Sequence, residues 1–322
     1  MIYSLAITGP TASGKTAVSI ELAKYLSAEI ISCDSMQIYR EMDIGTAKAT
    51  DEERREVPHH MLDIISPRED FSVEAYRERA IAVAGEITSR DKLAMFVGGT
   101  GLYVDALMRA PMTAVPESSR EYRDAVLAGI KNEDDVDALW QKLQRVDPES
   151  AAAIHKNNVR RVIRALEIYE TTGKTKSYFD ALSRQARNDI CVSMITLDFH
   201  NRENLYSRVD KRVDEMLRCG LVREVESLYE RGFLMPGTTA SQAIGYKEIV
   251  SYLKGEISLF EAAELIKLST RRYAKRQLTW FRHEEGAYRL YVDDEDGGMR
   301  DFNTIINEAR NAAQRFIKGF SK

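Results

Sequence analysis

The first residues able to do chemistry form one short block. Gly9-Pro10-Thr11-Ala12-Ser13-Gly14-Lys15-Thr16 fits the pattern GxxxxGK[ST], the loop that wraps phosphate groups. Its glycines let backbone N–H groups turn inward around phosphate oxygens. A helix starting behind the loop adds the positive end of its dipole. The Lys15 ammonium is a point charge for a terminal phosphate, and the Thr16 hydroxyl can ligate Mg²⁺. A chance glycine-rich turn is the alternative, but the context is the required one. An apolar run, Tyr3 to Thr8, precedes the loop, and Val18, Leu22 and Leu26 follow at helical spacing. A phosphate-bearing ligand follows from this; which phosphate does not.

Asp34 is the second candidate. It closes another apolar run, Ala28 to Cys33, and is followed by Ser35-Met36-Gln37. In an open parallel sheet, ligands bind outside the carboxyl ends of the strands. Asp34 and the Gly9–Thr16 loop should therefore face one crevice. A carboxylate there can hold a metal, accept a proton, or only cap a turn, and spacing alone leaves all three open. The third apolar run, Leu93 to Val97, ends in Gly98-Gly99-Thr100-Gly101. It lacks the Asp that an ATPase would place there for Mg²⁺.

These residues need a scaffold, and the pattern predicts one. Strand-like runs alternate with helical ones such as Val73, Tyr76, Ala80, Val83 and Ile87. That alternation predicts a parallel sheet with helices on both faces. Further strands are expected at Val192 to Phe199 and Tyr288 to Val292. Helices are expected at about Asn204 to Cys219, Val222 to Arg231 and Leu259 to Arg282. From about Glu117 to Gln185 only helices are readable, one of them with Asn157 as N-cap and Gly173 as C-cap. The expected fold is thus α/β: a P-loop NTPase-like core, residues 1–116 and 186–322, with an inserted all-helical domain at 117–185. The chain's 322 residues suit two such domains.

Composition narrows the function. Hydrophobic residues at 44% and charged residues at 30% are ordinary for a folded globular chain. With 46 Lys plus Arg against 50 Asp plus Glu, the net charge is −4, which excludes a uniformly basic coat but not local basic patches. No apolar run reaches the ~18 residues of a membrane span, and no signal-peptide pattern is visible, so a cytoplasmic enzyme is expected. Cys33, Cys191 and Cys219 are too scattered for a disulfide framework or CxxC site. The five histidines form no ligand spacing. They and Cys33 read as structural.

Four blocks together carry a resemblance: GPTASGKT (Gly9 to Thr16), ISCDSMQIYREMDIGTAK (Ile31 to Lys48), VGGTGLY (Val97 to Tyr103) and AKRQLTWFR (Ala274 to Arg282). In this order they resemble the tRNA dimethylallyltransferase family, which prenylates adenosine 37 beside the anticodon. No Cys/His cluster follows Cys219, so the likeness is to the bacterial form, without the zinc finger of eukaryotic members. The resemblance implies that the loop holds the diphosphate of dimethylallyl diphosphate. It makes Asp34 the general base that takes a proton from the adenine N6 amine as that nitrogen attacks the prenyl C1. Proton loss accompanying attack on an already activated carbon suits a carboxylate. Lys15, the loop amides, Thr16 with Mg²⁺, Thr100 and a further Arg would serve the reaction and the departing diphosphate. The segment Ser207 to Arg212 matches the motif holding that Arg, which maps to Arg212; Arg208, one helical turn away, stays open.

The resemblance also implies a path for the tRNA anticodon stem-loop along Asp34, Ser35, Met36, Gln37, Thr100, Arg123, the Arg160-Arg161…Arg164 run and Gln242 to Lys247, which includes Gly245. Arg123 lies where the sequence departs from the family pattern. The basic run Lys267 to Arg282, with Lys275, Arg276 and Arg282, contains no Asp or Glu. Two acid-free runs in an acidic chain suit contact with a phosphate backbone. Helical spacing puts Tyr273, Trp280 and Phe281 of that run in the core. The target adenine must leave its stack at a cost of a few kcal/mol, and the enzyme is expected to act as a monomer. Rival readings are a P-loop nucleotide or metabolite kinase, a non-catalytic RNA-binding or nucleotide-switch protein, and an adenylate isopentenyltransferase acting on free nucleotides.

Overall fold

Leu5, Ala6 and Ile7 are buried on both faces of a central strand, which is why the run that carries them is continuously apolar. The protein is described by a computed structural model covering residues 1–109, 119–185 and 189–320. The chain divides into two units, Met1–Met108 with Asp189–Lys322, and Arg109–Asn188. The expected junctions at 116/117 and 185/186 touch stretches outside the described residues.

The first unit begins with β1 (Ile2–Thr8), α1 (Lys15–Leu26), β2 (Ala28–Ser32), α2 (Asp51–Glu56), β3 (His59–His60), α3 (Val73–Ser89), β4 (Leu93–Gly98) and α4 (Gly101–Met108). The second unit holds α5 (Arg120–Gly129), α6 (Glu133–Val146), α7 (Pro148–Ala153), α8 (Val159–Thr172) and α9 (Lys176–Gln185). The first unit then resumes with β5 (Ile190–Asp198), α10 (Arg202–Arg218), α11 (Leu221–Glu230), α12 (Tyr246–Leu253), α13 (Leu259–Arg282), β6 (Tyr288–Tyr291) and α14 (Phe302–Phe320).

The sheet runs β3-β2-β4-β1-β5-β6 with every pairing parallel. Ala6 lies opposite Phe96 of β4 on one side and Met194 of β5 on the other. β2 and β4 therefore lie to one side of β1 and β5 and β6 to the other. The winding reverses at β1, where such sheets open a crevice. One face is covered by α1 and α14, whose Leu22, Ala23, Ile305 and Ala309 share a core with β1. The other is covered by α3 and α4 through Tyr76, Ala80, Val104 and Leu107. Burying each large apolar side chain contributes about 2 kcal/mol.

Several elements went beyond the sequence reading. β3 is only two residues, His59 and His60, on the sheet edge. α14 extends the chain after β6, with Ile305, Ile306, Ala309, Ala312 and Ala313 buried in one stripe. In the second unit, Leu143, Ala151, Val162 and Leu166 form a separate core. There the N-cap of α8 is Asn158 rather than Asn157, and its side chain makes no capping bond. Gly173 does end that helix, in the left-handed region at φ 67°. All three cysteines are free, Cys33 buried and the others exposed. Among the described residues no helix is long and apolar enough to cross a membrane.

Candidate active site

A cavity of about 310 Å³ opens at the carboxyl ends of β1, β2 and β4. The loop after β1 contributes Thr11, Ala12, Gly14, Lys15 and Thr16 to its wall, and the turn after β2 contributes Asp34, Ser35, Met36 and Gln37. α10 supplies Arg212, Val213 and Met216; the turn before α12 supplies Gln242, Ile244 and Gly245; α13 supplies Ile266, Tyr273 and Gln277. Loop and aspartate thus face one space, as strand topology requires. The wall is polar around Lys15, Asp34 and Arg212 and apolar around Met36, Val213, Met216, Ile244 and Ile266.

The two cations of this wall are unusual. Lys15 Nζ donates to the Pro10 carbonyl at 2.7 Å and makes no ion pair among the described residues. Burial pulls its ammonium down to about 7, Arg212 adds to the shift, and Asp34 opposes it. Burial also lowers Arg212, helped by Arg208 and countered by Asp34. The Arg212 guanidinium has neither a hydrogen bond nor an ion pair with any described residue. A buried, unpaired positive charge is costly unless an anion joins it. Ser13, in the same loop, is 3% exposed with its hydroxyl unpaired. Among the described residues the Thr16 hydroxyl bonds to none, and no three metal-ligating side chains cluster. A cation here would need most of its oxygens from the ligand. Mg²⁺ is held in that way at phosphate sites, by one or two protein oxygens and the phosphates.

Asp34 caps its own turn, one of the three readings left open by its position. Its Oδ1 accepts from the Met36 amide at 2.9 Å, which closes the turn and fixes the side chain beside the cavity. Thr100 does not line the cavity. Its Oγ1 accepts from the Ser35 amide at 3.1 Å, and its own amide donates to Cys33 at 3.2 Å. It therefore braces the turn that carries Asp34. Gly98 permits this close approach, because a Cβ there would lie 2.2 Å from the Cys33 carbonyl oxygen. Gly9, Pro10 and Ser13 belong to the loop without lining the space.

Arg208 has a defined place. Its Nε donates to the Ala12 carbonyl at 2.7 Å, so it ties α10 to the Gly9–Thr16 loop. Four further residues escaped the sequence reading. Tyr273, expected in the core, lines the cavity; burial raises its phenol pKa, and the Asp34 charge adds to the shift. Gln277, one turn further along α13, bonds to the loop. The four-residue spacing within the basic run was the signal that could have found them. His59 also lines the cavity, with Nδ1 on the Val57 carbonyl at 2.8 Å. Glu224 of α11 accepts from the amides of Asp43, Ile44 and Gly45 at 3.1, 2.7 and 3.1 Å and from the Tyr246 hydroxyl at 2.5 Å. It holds the wall segment around Gly45 in place.

The expected RNA-facing cations divide. Arg282 is a correction: its guanidinium grips buried Asp198 at 2.7 and 2.9 Å and the Phe199 carbonyl at 2.9 Å, so its donors serve the fold. Lys267 and Arg271 are likewise paired, with Asp214 and Asp210. Lys275 and Arg276 are exposed and make no ion pair among the described residues, Arg276 lying 5.7 Å from the Tyr273 ring. Gln242 and Lys247 are exposed, with Lys247 3.7 Å from Glu248. In the second unit Arg160 and Arg161 are exposed, Arg164 pairs with Glu167 at 2.8 Å, and Arg123 Nε donates to the Ser119 carbonyl at 3.3 Å.

Comparison with known proteins agrees with this geometry. The IPP transferase family profile matches residues 37–284, and the isopentenyl transferase profile matches residues 2–69. A tRNA dimethylallyltransferase of Caldanaerobacter subterraneus is 47% identical over 294 residues, covering 91% of this chain and 93% of that protein. One from Bacillus cereus is 50% identical over 281 residues, covering 86% of each. Among solved structures, the full-length tRNA isopentenylpyrophosphate transferase of Bacillus halodurans is 42% identical with a TM-score of 0.72, covering 100% of this chain and 98% of that one. A eukaryotic dimethylallyltransferase acting on tRNA is 29% identical with a TM-score of 0.79, covering 99% and 80%. Matches of this length and identity settle the family: the chain belongs to the IPP transferases.

Proposed function

We propose that this protein transfers the dimethylallyl group of dimethylallyl diphosphate to N6 of adenosine 37 in tRNA, releasing diphosphate. The observation that carries the reading is the pair of unpaired cations, Lys15 and Arg212, in one cavity with Asp34. The diphosphate is the anion they lack. The amides of Gly14, Lys15 and Thr16, which line the cavity, add donors to it, and the apolar wall beside Arg212 suits a short isoprenoid. Thr16 is the residue that would hold Mg²⁺, which would supply further neutralisation of leaving-group charge.

In the transfer, N6 of the flipped adenine forms a bond to C1 of the prenyl group. The C1–O bond breaks and its electron pair leaves with the diphosphate. Asp34 takes the N6 proton, and Thr100 keeps the Asp34 turn fixed during the step. Lys15 and Arg212 gain interaction as negative charge grows on the leaving group, so they stabilise the transition state more than the ground state. Arg160, Arg161, Arg164 and the exposed pair Lys275 and Arg276 supply phosphate-backbone contacts, while Gln242, Gly245 and Lys247 border the route of the anticodon loop. In this reading the enzyme acts as a monomer in the cytoplasm.

A P-loop kinase would share the loop but would consume a nucleoside triphosphate. Mass spectrometry of adenosine 37, after incubation with dimethylallyl diphosphate and hypomodified tRNA, decides between them. A prenyl mass gain without ATP is expected; an unchanged nucleoside, or one changed only in the presence of ATP, sinks the proposal.

A further inference from the structure

The loop that holds phosphate and the turn that carries Thr100 come from strands β1 and β4, which lie side by side. One side chain joins them. Gln277 Oε1 accepts from the Thr11 amide at 2.8 Å, and its Nε2 donates to the Gly99 carbonyl at 2.8 Å. The side chain is only 6% exposed, although it reaches the cavity wall. Its orientation is unambiguous. Thr11 offers only a donor and Gly99 only an acceptor, so a reversed amide would set donor against donor and acceptor against acceptor. The fit is also tight, since a Cβ on Gly99 would lie 2.2 Å from Nε2 and 3.1 Å from the Gly9 carbonyl oxygen. Gly99 is bare because Gln277 occupies that space.

A chain of contacts leads on from there. Gly99 is followed by Thr100, whose Oγ1 holds the Ser35 amide and whose own amide holds the Cys33 carbonyl. Those residues flank Asp34. Phosphate loop, Thr100 turn and Asp34 turn are therefore linked through one primary amide and one hydroxyl. An amide is the side chain this position needs, because it presents an acceptor and a donor together on one planar group. A carboxylate gives two acceptors and a thioether gives neither useful donor nor strong acceptor.

We infer that Gln277 is a positioning residue for the transfer step, setting the separation between the diphosphate loop and the Asp34 turn. The inference rests on the prenyl-transfer reading and adds to it a residue that touches neither reacting atom. Misplacing reacting groups by about an ångström can cost 10²-fold in rate. Gln277 is thus expected to act on the chemical step, leaving tRNA capture alone.

The test compares full-length wild type with Gln277→Met, which keeps length and apolar volume, and Gln277→Glu, which keeps the Thr11 bond but turns an oxygen toward the Gly99 carbonyl. Two readouts are taken: hydrogen exchange at the Thr11 amide, and single-turnover prenyl transfer per folded molecule at saturating tRNA. In Gln277→Met, the Thr11 amide should exchange at least about tenfold faster, with the amides of α13 unchanged. Both variants should transfer roughly 10–10²-fold more slowly with an unaltered KM for tRNA. Thr11 exchange and transfer rates within twofold of wild type would overturn the inference. So would a loss of rate accounted for wholly by loss of folded protein. If the wild type transfers no prenyl group, the proposed function fails, while Thr11 exchange still decides whether Gln277 holds the loop.

Discussion

Lys15 and Arg212 sit among protein atoms with no carboxylate of the described residues at ion-pair distance, whereas Arg160 and Arg161 stand in solvent on α8. The α13 run offers a third arrangement, in which Lys267, Arg271 and Arg282 are neutralised by Asp214, Asp210 and Asp198. The same residue types therefore do three jobs. Buried and unpaired cations store an unfavourable charge that a bound anion relieves, so affinity concentrates in two side chains. Exposed cations each contribute little and act together through counterion release, with strong dependence on salt. Paired cations hold elements together. Environment, more than residue type, decides what a positive charge is for.

Five experiments can break or sharpen this contrast. Asp34→Asn removes the proton acceptor while leaving an oxygen for the Met36 amide; turnover should fall by ~10²–10⁴-fold with tRNA affinity retained. A parallel loss of tRNA binding would mean that Asp34 serves recognition. Arg212→Gln keeps polarity but deletes the charge, and single-turnover transfer should drop by roughly 10²–10³-fold. A fall below tenfold would show that burial alone does not concentrate the effect.

Arg282→Gln probes a paired cation. Leaving buried Asp198 without its partner should cost about 3 kcal/mol in chemical denaturation, with tRNA affinity of the folded protein unchanged. Replacing Arg160, Arg161 and Arg164 together with Ala should weaken tRNA binding and flatten the log–log salt slope by up to about three units, nearer two at single-stranded contacts. An unchanged slope removes the helical unit from the RNA surface.

The smallest effect is in pH. Anion binding favours charged Lys15, which in the free protein loses its proton near pH 7. Affinity for a non-transferable prenyl diphosphate analogue should therefore be best below pH 7. Above that it should fall by up to about tenfold per pH unit, until the raised value in the complex is reached. Calorimetric titration of wild type and Lys15→Arg checks this, because the arginine stays charged.

Local signals were legible in the sequence and distant ones were not. The Gly9–Thr16 loop, the helix behind it and the Asp34 turn could be read because strand, loop and helix are contiguous and each has its own residue grammar. The charge of the Lys267–Arg282 run could not, because the acids that neutralise Arg271 and Arg282 lie 61 and 84 residues away in sequence. Tyr273 was assigned to the core because periodicity reports which face turns inward, without distinguishing a packed interior from a cavity wall. β3 escaped because two histidines carry no apolar alternation. The stripe Ile305, Ala309, Ala312 and Ala313 of α14 was present in the sequence, but nothing nearby marked it as the cover of α1.

All the described residues lining the cavity come before Met108 or after Asp189. The intervening helices leave the sheet after α4 and the chain returns at β5. Such a layout separates the cavity wall from the helical unit along the chain. On the proposed function, lengthening, recharging or exchanging that detour would alter the clientele and leave the cleft with its loop unchanged.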